Sequence, residues 1–187
     1  MKLLVFDADE TLTTTASGKK FPELPTDKVL KFDPKILSNP NWYCIIASNQ
    51  KGFHLGFKTK DFIEEEFNYL DEITHHVFNY FLVCPDDGTT VWIKKNQKKF
   101  ISFGYKYDYT QFVDMNFLTE CKSLIGTFRK PMPGMLYLAE KIARSIINQD
   151  EKITDKIFVG DMETDALAAQ QAGFKFFYIN EWLAINN

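Results

Sequence analysis

Residues 1–11, MKLLVFDADET, hold the stretch that decides the fold. Leu3-Leu4-Val5-Phe6 is an unbroken apolar run of strand length, as expected for a strand buried on both faces. It ends on Asp7 and Asp9, two carboxylates separated by one residue. Like charges that close raise each other's pKa unless a cation or hydrogen bonds compensate. Carboxylates at the end of a buried strand therefore need a reason to be there.

Further apolar runs follow, with helical segments between them. Trp42 to Ala47 is predicted as a strand, and Phe62, Ile63, Phe67, Leu70, Ile73 and Val77 fall near helical spacing between Thr59 and Val77, with Glu64, Glu65 and Glu66 among them. VFNYFLV (77–83) reads as a third strand. A second helix is expected from Pro133, with Met135, Leu138, Ile142 and Ile146 as its apolar stripe. KIFVGD (156–161) reads as a strand, DALAAQQAG as a helix closed by Gly173, and FKFFYI (174–179) as the last strand. Strands alternating with helices predict an α/β fold with a doubly wound parallel sheet. Ligands of such sheets bind beyond the carboxyl ends of the strands, where Asp7, Ser48 and Asp161 all fall.

The totals fit one domain over residues 1–187, interrupted by an insert at 84–128 that is too long for an ordinary connection. A formal charge of −3 does not announce a nucleic-acid binder, so any basic surface has to be local. Three widely spaced cysteines, Cys44, Cys84 and Cys121, fit a reducing compartment rather than a disulfide scaffold. No apolar stretch approaches the roughly 20 residues of a membrane span. No leader peptide is apparent, and a soluble intracellular protein, cytoplasmic or nuclear, is the expectation. A structural zinc site is not expected: Cys84 has no histidine after it, His75 and His76 fall on a predicted helix, and Cys121 is distant. His54 is left without a role.

A carboxylate such as Asp7 can attack phosphorus, forming an aspartyl-phosphate that splits one hard hydrolysis into two steps. Asp9 can protonate the leaving oxygen and then take a proton from water. GDMETD adds Asp161 and Asp165, and four carboxylates in one pocket can stay ionised around Mg²⁺, a hard cation that prefers oxygen ligands. The Ser48 hydroxyl can donate to a phosphoryl oxygen, and Lys130 in FRKPMPG supplies positive charge to it. Each piece taken alone has a plainer reading: a capping aspartate pair, a turn serine, a solvated lysine. Only their combination favours catalysis.

FDADET, ASNQKG, RKPMPGM and GDMETD, in that order, resemble the four motifs of the haloacid dehalogenase superfamily of phosphohydrolases. The resemblance implies a Rossmann-like fold without a large cap domain. It makes Asp7 the nucleophile, Asp9 the acid/base, Ser48 the phosphate-binding hydroxyl, Lys130 the cation, and Asp7, Asp9 (through its carbonyl), Asp161 and Asp165 the magnesium site. FDADETLTTTASGKKFPELPTD is more narrowly similar to the start of the 3′-phosphatase domain of polynucleotide kinase/phosphatase. That likeness implies removal of 3′-phosphates from DNA ends, as in DNA repair, with Thr11, Asn49, Lys19 and Arg129 contacting the substrate. A kinase loop is not expected, because Gly18-Lys19 lacks the upstream glycine and the following Ser or Thr of GxxxxGK[ST].

Two further substrate readings stay open: a small phosphorylated metabolite or nucleotide, and a non-catalytic binding protein of the same fold. The insert bears on the choice. Lys94, Lys95, Lys98, Lys99 and Lys106 are packed into one stretch with Phe100, Phe103, Tyr105, Tyr107, Tyr109 and Phe112. Lysines and rings in that arrangement suit single-stranded nucleic acid, or equally a β-hairpin with an aromatic core and a lysine-rich edge.

Overall fold

The computed structural model describes residues 1–104, 120–146 and 152–186. The first strand, β1 (Lys2–Phe6), runs parallel to β4 (Trp42–Asn49) on one side and to β8 (Asp155–Gly160) on the other. Beyond β4 lies β5 (Tyr80–Cys84), and beyond β8 lies β9 (Lys175–Tyr178), both parallel to their neighbours. The chain thus leaves β1 for one half of the sheet and later returns to the other. The reversal of winding falls at β1, so its carboxyl end opens onto the crevice where such sheets bind ligands.

Alternate residues of the central strands serve opposite faces. Leu3 and Val5 of β1 join Ile45 and Ala47 of β4 under two helices, α2 (Gly134–Ile146) and α3 (Glu163–Ala172). Leu4 and Phe6 join Cys44 and Ile46 under α1 (Lys60–Ile73). Burial on both faces explains why these strands carry no polar alternation. The α1 helix starts on Thr59, whose hydroxyl accepts from the Phe62 N–H, and α3 closes on Gly173 in the left-handed conformation (φ 69°) that glycine adopts without strain. The predicted stripe of α2 holds for Met135, Leu138 and Ile142, whereas Ile146 is exposed.

Two features correct the sequence reading. The start of the 84–128 insert extends the main sheet: β6 (Thr90–Lys95) pairs antiparallel with β5, and β7 (Ile101–Gly104) with β6. The sheet order is therefore β7-β6-β5-β4-β1-β8-β9, parallel except at that edge. Ile179, predicted to end the last strand, instead opens a final helix, α4 (Ile179–Asn186). Its Trp182 packs edge-on against Phe6, with ring centroids 5.2 Å apart, which removes it from water and fixes the helix on the sheet.

A short ribbon of β2 (Thr13–Thr14) and β3 (Val29–Leu30) follows the Asp7–Asp9 turn. The loop between them is tied across its base, where Asp27 accepts from the backbone N–H and the hydroxyl of Ser17 at 2.8 and 2.7 Å. Among the described residues, no helix is long and apolar enough to cross a membrane.

Candidate active site

Asp7 emerges from β1 with its backbone N–H donating to the Val159 carbonyl of β8 at 2.9 Å. That bond holds it between the two strands whose ends meet at the crevice. Lys130 arrives from the loop before α2. Its backbone is fastened to the end of β4 by Asn49, whose amide accepts from the Lys130 N–H and donates to its carbonyl, both at 3.1 Å. The Lys130 ammonium is buried, 2.6 Å from Asp7 Oδ1 and 2.7 Å from Asp165 Oδ1, above the ring of Phe158. Burial works against its charge, but Asp7 and Asp165 outweigh that and raise its pKa, so it stays an ammonium.

Asp7, Asp161 and Asp165 each offer an oxygen, and these oxygens lie within 4.8 Å of one another. Gly160 is needed for the approach: a Cβ there would sit 2.6 Å from the Cβ and Oδ2 of Asp165. Asp165 is further held by the Met162 N–H, which donates to its Oδ2 at 3.1 Å. One ammonium among three carboxylates leaves negative charge uncompensated. Burial, reinforced by Asp165 and Asp9, raises Asp7 to about 7 against the pull of Lys130. Burial and Asp165 raise Asp161 as well. An all-oxygen donor set short of positive charge fits a hard divalent cation such as Mg²⁺.

The carboxylate of Asp9 stands apart from that cluster, a departure from the four-carboxylate pocket expected. Its Oδ1 accepts from the Lys28 ammonium and its Oδ2 from the Gln50 amide, both at 2.8 Å. Desolvation pushes its pKa up, but Lys28 and Gln50 more than offset this and hold the carboxyl below its usual range. Gln50 also donates to the buried Ser48 Oγ at 3.1 Å, so Ser48 accepts there and keeps its own proton to donate.

The four residues expected to contact substrate are placed differently. Thr11 is fully buried and donates to Asp161 Oδ1 at 3.4 Å, orienting a carboxylate rather than facing solvent. Asn49 is occupied with the Lys130 backbone. Lys19 is exposed and pairs with Glu23 on the ribbon loop. Arg129, next to Lys130, reaches the Asp86 carbonyl at 3.5 Å.

Sequence reasoning missed Lys28, Gln50, Lys58 and Glu66. Lys28 lies in a loop with no periodicity to mark it. Glu66 did carry a signal: three residues after Ile63 and four before Leu70, it falls on the apolar stripe of α1 and is fully buried.

Lys94, Lys95, Lys98 and Lys99 of the insert are not at this end of the sheet. Lys95 pairs in register with Tyr80, where β5 begins, so the turn carrying Lys98 and Lys99 lies at the amino end of the parallel strands. At about 3.3 Å per residue, the length of β5 puts that turn some 13 Å below the crevice. Lys94 is buried instead, 2.7 Å from Asp71 Oδ2 of α1. Lys106 and the aromatics from Tyr105 to Phe112 lie outside the described residues.

The family model for polynucleotide kinase 3 phosphatase matches residues 2–175. The chain belongs to that family. No curated protein matches it. Among solved structures, the D,D-heptose 1.7-bisphosphate phosphatase of B. bronchiseptica, complexed with magnesium and phosphate, superposes with a TM-score of 0.58 at 20% identity, over 94% of this chain and 79% of that one. A putative haloacid dehalogenase-like phosphatase from Mesorhizobium loti gives the same TM-score and identity, over 93% and 69%. The fold is thus the haloacid dehalogenase-like one, and the chain is a phosphatase by family.

Proposed function

We propose that this phosphatase is a Mg²⁺-dependent phosphomonoesterase that removes 3′-phosphates from nucleic-acid ends. The observation that carries the chemistry is the Asp7–Lys130–Asp165 bridge beside Asp161 at the carboxyl end of β1. The family match supports the choice of substrate. Mg²⁺ would be held by Asp7, Asp161 and Asp165, and when bound it supplies the positive charge that lets Asp7 approach a phosphate as an anion.

Asp7 Oδ attacks phosphorus, and the ester P–O bond breaks with its electron pair passing to the leaving 3′ oxygen. Asp9 gives that oxygen a proton. The free Asp9 is ionised, so the proton arrives with the phosphomonoester, whose second pKa is about 6. Water then attacks the aspartyl-phosphate and loses a proton to Asp9. The bond between phosphorus and Asp7 breaks, its electrons return to the carboxylate, and inorganic phosphate leaves. Ser48 and Lys130 hold the phosphoryl oxygens through both steps. Donors fixed before the reaction cost no reorganisation as charge develops.

The deciding assay is phosphate release with Mg²⁺ from an oligonucleotide bearing a 3′-phosphate, beside its 5′-phosphate twin and a panel of small phosphomonoesters. Asp7→Asn is the control. Preference for the 3′-phosphate supports end processing. Hydrolysis of small esters alone would sink the nucleic-acid reading and leave the mechanism. That second reading is favoured by one observation: Lys94, Lys95, Lys98 and Lys99 are buried or at the far end of the sheet, which takes them away from a polymer entering the crevice.

A further inference from the structure

Five side chains close a ring beside the phosphate site. Lys28 Nζ lies 2.8 Å from Asp9 Oδ1 and 2.9 Å from Glu66 Oε1. Lys58 Nζ lies 2.7 Å from Glu66 Oε2 and 3.2 Å from Gln50 Oε1. Gln50 returns to Asp9 Oδ2 at 2.8 Å and touches Ser48. The ring joins four pieces of chain: the turn after β1, the ribbon loop, the end of β4, and α1 with the segment leading into it.

Its chemistry is costly for a core. The Glu66 side chain is fully buried, and those of Lys28 and Lys58 are 5% and 12% exposed. Each buried ion costs several kcal/mol to desolvate, and an apolar residue on the Ile63–Phe67–Leu70 stripe would pack there without that cost. The charges do not serve the helix, since both lysines come from outside it. What the ring fixes is the carboxylate of Asp9, with both oxygens engaged, in set relation to the Ser48 hydroxyl.

We propose that Lys28, pinned by the buried Glu66, is a positioning residue that aims the Asp9 carboxylate at the leaving oxygen. The inference rests on the acid/base role given to Asp9 above. Lys28 does not touch the reacting atoms. It acts through Asp9, so its effect should appear only where Asp9 matters.

The test compares Lys28→Met, Lys28→Arg, Asp9→Asn and the Lys28→Met/Asp9→Asn double variant on phenyl phosphate and 2,4-dinitrophenyl phosphate. The dinitrophenolate leaves without a proton and the phenolate does not. Positioned acid/base groups contribute roughly 100- to 10,000-fold. Lys28→Met should therefore lower kcat/KM, which reports the steps through departure of the leaving group, by about 10- to 100-fold on phenyl phosphate, part of that effect. The loss should shrink on the dinitrophenyl ester, vanish in the Asp9→Asn background, and be partly restored by Lys28→Arg.

Because Lys28→Met alone strips a partner from buried Glu66, Lys28→Met/Glu66→Leu is measured beside it. That variant leaves no buried carboxylate short of a partner, Lys58 keeps the Gln50 amide oxygen at 3.2 Å, and the same leaving-group signature is expected. An equal loss on both esters, or a loss that persists without Asp9, overturns the positioning role while wild-type hydrolysis upholds the phosphatase reading. A wild-type protein that hydrolyses neither ester overturns both.

Discussion

Asp7→Asn should stabilise the metal-free protein at pH 8, although it removes the group proposed as nucleophile. Burial and the neighbouring carboxylates raise Asp7 from 3.8 to about 7 in the folded chain. The fold therefore keeps a proton that the unfolded chain has released. Stability that is fully present below about pH 4 is lost as the pH climbs to 7 and beyond. At about 1.4 kcal/mol for each pH unit, the wild type forfeits about 4 kcal/mol by pH 8. Asparagine keeps the shape, can still accept from Lys130, and has no charge to desolvate. Urea denaturation of both proteins in EDTA at pH 4.5, 6 and 8 should give curves that lie close together in acid and diverge with pH, the variant being the more stable. Mg²⁺ at pH 8 should then close most of the gap, because a cation compensates the ionised wild-type cluster and has less to compensate in the variant. A difference that does not grow with pH would refute the account of a charge-deficient cluster. So would a wild type that Mg²⁺ leaves unaffected.

Two further outcomes follow from the same geometry. Lys130→Met leaves Asp7 and Asp165 buried against one another. It should cost about 3–5 kcal/mol in denaturant melts without metal, and abolish measurable phosphate release even where Mg²⁺ restores the fold. Reversing Lys98 and Lys99 to glutamate should change kcat/KM on a 3′-phosphorylated trinucleotide less than twofold, because their turn lies at the opposite end of β5. A tenfold loss would mean that the substrate runs down the sheet edge.

The central strands were legible because burial on both faces leaves an unbroken apolar run, as in Leu3–Phe6 and Ile45–Ala47. The cluster residues were legible for a related reason: a polar group immediately after such a run has no packing role. The edge was harder. Lys94 and Lys95 end an otherwise strand-like TVWI, and they read as surface. One of them is in fact neutralised by Asp71, a partner 23 residues away that no local pattern reveals. Lys28 failed for the same physical reason, since its burial is set by Glu66 and Asp9 across the fold. Ile179 looked like the end of a strand, because a helix of about two turns held by Ile179 and Trp182 leaves little periodicity to read.

The spacing of Asp7 and Asp9 also has a physical answer. Separated by one residue, they leave the end of β1 into opposite surroundings. Asp7 enters a cluster with too little positive charge and rises to about 7. Asp9 enters the Lys28–Gln50 clamp and is lowered. A pair of carboxylates whose environments drive their pKa values apart can divide two tasks between them. In the metal-free site below about pH 7 the proton rests on Asp7, the wrong partner for nucleophilic attack, and the ionised Asp9 is ready only as a base. The proposed reaction needs the reverse at its first step. The deficit of positive charge beside Asp7 is therefore not a flaw in the packing. In the proposed mechanism it would tie the ionisation of Asp7 to the arrival of a cation, while the Lys28 ring would keep Asp9 in place whichever form it takes.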